Sequence, residues 1–91
     1  MDTEKTCSRI VCQEICQIAK DSSSKHLTMT VDELGRLIEA KFSGYCHPYQ
    51  TRGLLHAAYR YADIYAEKEV VRMAILKVFV NNDGSPIWKA G

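Results

Sequence analysis

Apolar residues recur at helical spacing in three stretches of this chain and at strand-like spacing in a fourth. From Thr6 to about Lys20, Cys7, Ile10, Val11, Ile15, Ile18 and Ala19 fall within half of a helical wheel, opposite Arg9, Gln13, Gln17 and Lys20. That segregation predicts an amphipathic helix with one face on a core. Residues 1–4, ahead of the periodic stretch, are expected to fray. Asp21-Ser22-Ser23-Ser24 should end the helix, because short polar side chains compete with the helical backbone for hydrogen bonds.

Leu27-Thr28-Met29-Thr30 alternates and suits a short strand entering the next helix. Thr30-Val31-Asp32-Glu33 has the spacing of a capping box, in which Thr and Glu each satisfy the other's backbone N–H. The helix that follows places Val31, Leu34, Leu37, Ile38 and Phe42 on one face and Asp32, Glu33, Arg36, Glu39 and Ala40 on the other. It should end near Phe42, before Ser43-Gly44.

Pro48 fits the first position of a third helix, where its missing N–H costs nothing. Leu54, Leu55, Ala58, Tyr61, Ala62 and Tyr65 then make a broad apolar face, with Tyr49, Arg52, His56, Arg60 and Asp63 opposite. The periodicity runs to about Ala66 despite Gly53, which weakens a helix. Val70 to Val80 differs. Arg72 and Lys77 do not segregate from the apolar residues on a helical wheel. Alternation of Val71, Met73, Ile75 and Phe79 with β-branched enrichment suits a strand. Asn81-Asn82-Asp83-Gly84-Ser85 is a strong turn signal, and Pro86-Ile87-Trp88-Lys89 can return as an edge strand. A helix over Glu67–Val80 is the competing reading.

The predicted order is helix, short strand, helix, helix, strand, turn, strand, within one domain covering residues 1–91. This α+β order, three helices and a C-terminal β-hairpin over 70–91, resembles that of a winged-helix domain. The alternative is an all-α bundle ending in a helix over 67–80. One departure is visible: the Phe42–Pro48 connection is longer than the tight turn of a helix-turn-helix.

Composition changes this picture little. With 91 residues, 46% hydrophobic and 25% charged, the chain has material for one modest core and is unlike a disordered tail. It contains no apolar run long enough to span a membrane and no secretory-type leader, so the expected location is the cytoplasm, or the nucleus in a eukaryote. The net charge of +1 is close to neutral, but its distribution is uneven. From Ala40 to Ala62 there is no acidic residue, and four of the five tyrosines lie in that stretch.

Four cysteines invite a disulfide count. Cys12 and Cys16, one helical turn apart, have a Cα separation near the upper limit for a disulfide and poorly directed Cβ atoms, so reduced thiols are expected. Zinc held by Cys12, Cys16 and Cys46 or His47 has suitable ligand types, but no Cys-x-x-Cys spacing supports it. Cys46 with His47 and His56 supplies a nucleophile and bases but no third orienting group. No metal, cofactor or enzymatic activity is therefore expected.

If the winged-helix resemblance holds, the third helix is the recognition helix. Its outward residues Tyr49, Gln50, Arg52, His56 and Arg60 would meet bases and phosphates, with Lys77 and Lys89 on the wing. The expected function is then that of a DNA-binding regulator. The alternative is a protein-interaction module, an inhibitor, adaptor or accessory subunit, using the same Tyr/Arg-rich face. A homodimer fits either reading. Tyr61 and Tyr65 are expected in the core, and Trp88 should pin the last strand to it.

Overall fold

The computed structural model describes residues 2–43 and 50–88. Over these residues the chain forms α1 (Asp2–Ser24), β1 (Met29–Thr30), α2 (Val31–Lys41) and α3 (Thr51–Tyr61). A short 3₁₀ turn (Ala62–Ile64), α4 (Lys68–Val78) and β2 (Phe79–Val80) follow. The fold is mostly helical, with one two-stranded sheet. Its strands are parallel, with Met29 opposite Phe79 and Thr30 opposite Val80. Parallel neighbours need a long crossover, and α2, α3 and α4 provide it.

α1 is longer at both ends than its periodicity predicts. Ser22, Ser23 and Ser24 do not end it. Instead, the Ser24 hydroxyl donates back to the Asp21 carbonyl at 2.8 Å, and Gln17 donates to the Asp21 carboxylate at 3.0 Å. The stop comes two residues later. His26 is left-handed (φ 56°), its N–H donates to the Ser23 carbonyl, and the Leu27 N–H donates to the Ser22 carbonyl. These two bonds form a Schellman motif, which satisfies carbonyls that the helix end would leave without donors.

The core lies where α1, α3 and α4 meet. Val11, Cys12, Ile15, Cys16 and Ala19 supply the buried stripe of α1, and α1 packs against both α3 and α4. From α3 come Leu55 and Ala58, followed by Ala62 in the 3₁₀ turn. The helix periodicity expected to reach Ala66 therefore tightens into a 3₁₀ turn after Tyr61. Tyr61 and Tyr65 pack half-buried against the core, as expected, edge-to-face with ring centroids 5.6 Å apart. α2 contributes Val31, Leu34, Gly35 and Ile38, while Leu37, placed on the apolar face by the sequence, is 42% exposed.

The capping box at the start of α2 is complete. Thr30 Oγ1 accepts from the Glu33 N–H at 3.2 Å, and the Glu33 carboxylate accepts from the Thr30 N–H at 3.0 Å. The Thr30 backbone bond, then the Thr30 hydroxyl, hold the Glu33 carboxyl below its ordinary value. A carboxyl depressed in the folded state stabilises above its unfolded value and loses that contribution as the pH falls through its folded one. Acid should therefore loosen the start of α2 in the wild type. Thr30→Ala should lower stability by about 1 kcal/mol at neutral pH. It should also raise the Glu33 titration midpoint, which NMR of the Glu33 side chain reads directly.

The strand predicted over 70–80 is a helix. α4 buries Val71, Ala74, Ile75 and Val78, a helical i, i+3, i+4, i+7 stripe. The wheel looked unsegregated because Val70 and Met73 are apolar yet 55% and 53% exposed, and because Arg72 lies half-buried at the edge of the stripe. Only Phe79 and Val80 are extended, and they pair with β1 rather than with a returning strand. The C-terminal hairpin shrinks accordingly. The Asn81–Ser85 turn forms as expected, with Asn81 N–H donating to Ser85 O and Gly84 N–H to Asn81 O, each at 2.8 Å. Beyond it, Pro86 makes a single antiparallel bridge to Val80.

Candidate functional site

On α3, Arg52, His56 and Arg60 recur every fourth residue and form one exposed stripe, with no acidic residue anywhere on the helix. Gln50, just before α3, is exposed too, and Lys77 is exposed on α4. Tyr49 and Lys89 lie outside the described residues, as do Tyr45, Cys46, His47 and Pro48. The predicted site residues are thus divided between two helices. Lys77 stands on a helix and not on a wing strand.

The first two members of the stripe hold the C-terminal segment in place. Arg52 donates to the Asn81 side-chain carbonyl. Asn81 in turn donates to Ser85 Oγ and to the Pro86 carbonyl, both at 2.9 Å. The neighbouring Asn82 accepts from the Asp32 N–H at 3.1 Å, occupying one of the free donors at the start of α2. Asp83 accepts from Ser85 Oγ at 2.6 Å and from Ser85 N–H at 2.9 Å. Those two bonds, the hydroxyl's first, hold its carboxyl below the usual range, and the Arg52 charge adds to the effect.

His56 meets the Trp88 ring edge-on at 5.8 Å, and Tyr59 meets the same ring edge-on at 5.6 Å. Trp88 therefore anchors the chain end against α3, although as an irregular segment and not a strand. Arg72 extends the cluster. Its guanidinium sits 5.1 Å from the Tyr59 ring centroid and pairs with Asp63, while Nε donates to the Tyr59 carbonyl at 3.4 Å. Aromatic edges and a cation over a ring face are each favourable geometries. This cluster links α3, α4 and the C-terminal segment at the surface of the shared core.

Arg60 is different. Among the described side chains its guanidinium has no ion-pair or hydrogen-bond partner, and it borders an open groove of about 540 Å³ between α1 and α3. Arg9 of α1 borders the same groove and is likewise without a salt-bridge partner among the described side chains, those of residues 9–43 and 50–88. Between them the walls are Cys12, Ala57, Tyr61 and Ile64, with Asp63 at one end already paired to Arg72. Ile64 is 70% exposed, and Ile10, adjacent to Arg9, is 43% exposed. The result is an apolar recess with two guanidinium groups on its border. Sequence reasoning assigned Arg9 to the solvent side of its helix, and only the packing of α1 on α3 sets it on the same groove as Arg60.

The thiols have a structural setting. Cys12 and Cys16 are buried thiols not joined in a disulfide, and Cys16 Sγ donates to the Ala58 carbonyl across the α1–α3 interface at 3.6 Å. Burial pushes the Cys16 thiol up to about 11, and Cys12 adds to the shift. A thiol with so little thiolate at neutral pH is a poor nucleophile and a poor metal ligand. Among the described residues, no three His, Cys, Asp or Glu side chains are close enough to hold a metal ion. No helix among them is long and apolar enough to cross a membrane. Comparison of the chain with known protein families, with characterised proteins and with solved structures gives no match.

Proposed function

We propose that this chain is a small, non-enzymatic protein-interaction module that needs no cofactor. In this reading the α1–α3 groove is its docking surface, and the partner presents acidic side chains beside an apolar anchor. The observation that carries the proposal is that Arg9 and Arg60, both without ionic partners among the described side chains, line one recess walled by Ala57, Tyr61 and Ile64. Arginine and aromatic groups around desolvated apolar area are the usual composition of interaction hot spots. A carboxylate can accept the two parallel N–H bonds of a guanidinium, and the recess takes the apolar side chain next to it.

The second reading is a DNA-binding regulator of winged-helix type, with α3 as recognition helix and the Asn81–Ser85 turn as a reduced wing. Its support is the stripe of Arg52, His56 and Arg60 on a helix free of acidic residues. Its weakness is that Arg52 and His56, placed to read bases, are turned onto Asn81 and Trp88.

One comparison separates the two. Peptides selected from a random library against the full chain should be enriched in Asp and Glu around one large apolar residue. Such a peptide should lose at least about tenfold in affinity to Arg9→Glu/Arg60→Glu, since a hot-spot arginine contributes more than about 1 kcal/mol. In parallel, fluorescence anisotropy with a mixed-sequence DNA duplex should show no binding with a steep salt slope. Salt-dependent duplex binding that is lost in Arg52→Glu, with no peptide dependent on Arg9 and Arg60, would instead establish the second reading.

A further inference from the structure

A second surface has a charge pattern complementary to itself. Val70 and Met73 leave α4 exposed at 55% and 53%, and they line a shallow groove of about 380 Å³ together with Ala74 and Ser23 of α1. Glu69 and Lys77 line it as well. Glu69 is four residues before Met73 and Lys77 four after it, so opposite charges stand one turn either side of an apolar centre, roughly 12 Å apart along the helix. The surface shares no residue with the α1–α3 groove, so it is independent of the function proposed above.

We infer that α4 pairs antiparallel with α4 of a second copy of this chain, about a two-fold axis passing beside Met73. An axis at that position sets each residue opposite the one equally far on the other side of Met73. Met73 then meets Met73, and Val70 meets the half-buried Leu76 of the other copy. Glu69 faces Lys77 at one end and Lys77 faces Glu69 at the other. Self-complementarity of this kind is what an isologous contact demands. A parallel arrangement would instead place Glu69 near Glu69 and Lys77 near Lys77. Glu69 is available for the contact, since its side chain is 76% exposed and its internal partner Arg72 is 3.7 Å away. One helix pair buries less than the roughly 1,600 Å² of a standard interface, so the dimer is weak and forms at high protein concentration.

Sedimentation velocity over a concentration series of the full chain tests this, with far-UV circular dichroism confirming that each variant keeps its helix content. The wild type should pass from monomer to dimer as concentration rises, and Met73→Lys should remain monomeric. Glu69→Lys alone and Lys77→Glu alone should each weaken dimerisation by about tenfold, because two exposed pairs turn from attractive to repulsive. The double exchange Glu69→Lys/Lys77→Glu should restore wild-type association. An equimolar mixture of the two single variants should form a heterodimer, since both of its pairs are again opposite in sign. A wild type that stays monomeric throughout would overturn the inference. So would a dimer indifferent to Met73→Lys, or single variants that neither recover in combination nor associate when mixed.

Discussion

Ala74→Asp is expected to abolish cooperative folding, whereas Met73→Asp, one residue earlier, should shift stability by no more than about 1 kcal/mol. The contrast follows from α4 being a helix. Ala74 is 3% exposed, in the buried stripe with Val71, Ile75 and Val78. A carboxylate placed there loses most of its hydration, because Arg72 lies at the edge of the stripe already paired with Asp63, and Lys77, which lines the α4 groove with Ala74, keeps its ammonium in solvent. A buried unpaired charge costs on the order of 4 kcal/mol or more. That approaches the whole stability of a domain this small, about 5 kcal/mol at the lower end of the usual range. Met73 is more than half exposed, and an aspartate there stays in water, with only a small loss in helix propensity. A strand over 70–80 with Met73 facing the core requires the reverse order. Urea denaturation followed by circular dichroism distinguishes the two outcomes, and a more damaging Met73→Asp would contradict the helix.

Phe79→Ala should lower stability by about 3–5 kcal/mol. Phe79 is fully buried and is the largest of the fully buried side chains. It occupies the point where α4 becomes β2, and its backbone stands opposite Met29 of β1. Truncation removes apolar contacts and leaves a cavity that neighbouring elements fill only in part. The sheet has two residues in each strand, so its hydrogen bonds cannot hold β1 in place without the side chain beneath them. The chain segment from Asn81 to Trp88 should loosen in the same variant, which quenching of Trp88 fluorescence would register as greater accessibility. A loss below about 0.5 kcal/mol would be typical of a surface substitution and would place Phe79 outside the core.

Local signals in this chain were legible because neighbouring residues generate them. The Thr30–Glu33 capping box, the Asn81–Ser85 turn and the stripes of α1 and α2 each depend on side chains within one or two turns of one another. α4 was harder to read. Its solvent side carries Val70 and Met73, and its one half-buried charge, Arg72, sits over Tyr59. Amphipathic segregation fails as a signal when apolar residues stay exposed and a cation is drawn inward by partners far away in sequence. The same limit governed the site. Arg52, His56 and Arg60 were correctly placed on the outer side of α3, but helical spacing says nothing of what a side chain meets. Asn81 and Trp88 take the first two, and the third shares a groove with Arg9.

The sequence by itself therefore determined three helical stretches, the capping box that opens the second, the Asn81–Ser85 turn, and a basic edge without acid on α3. Tertiary structure decided the conformation of residues 68–80, the parallel pairing of β1 with β2, and which arginines remain open to a partner. The physical reason is range. Caps, turns and amphipathic stripes are fixed by energies between residues close along the chain. Burial of the α4 stripe and the seat of Trp88 arise only when distant segments exclude water between them, and the same packing of α1 on α3 sets Arg9 and Arg60 on one groove.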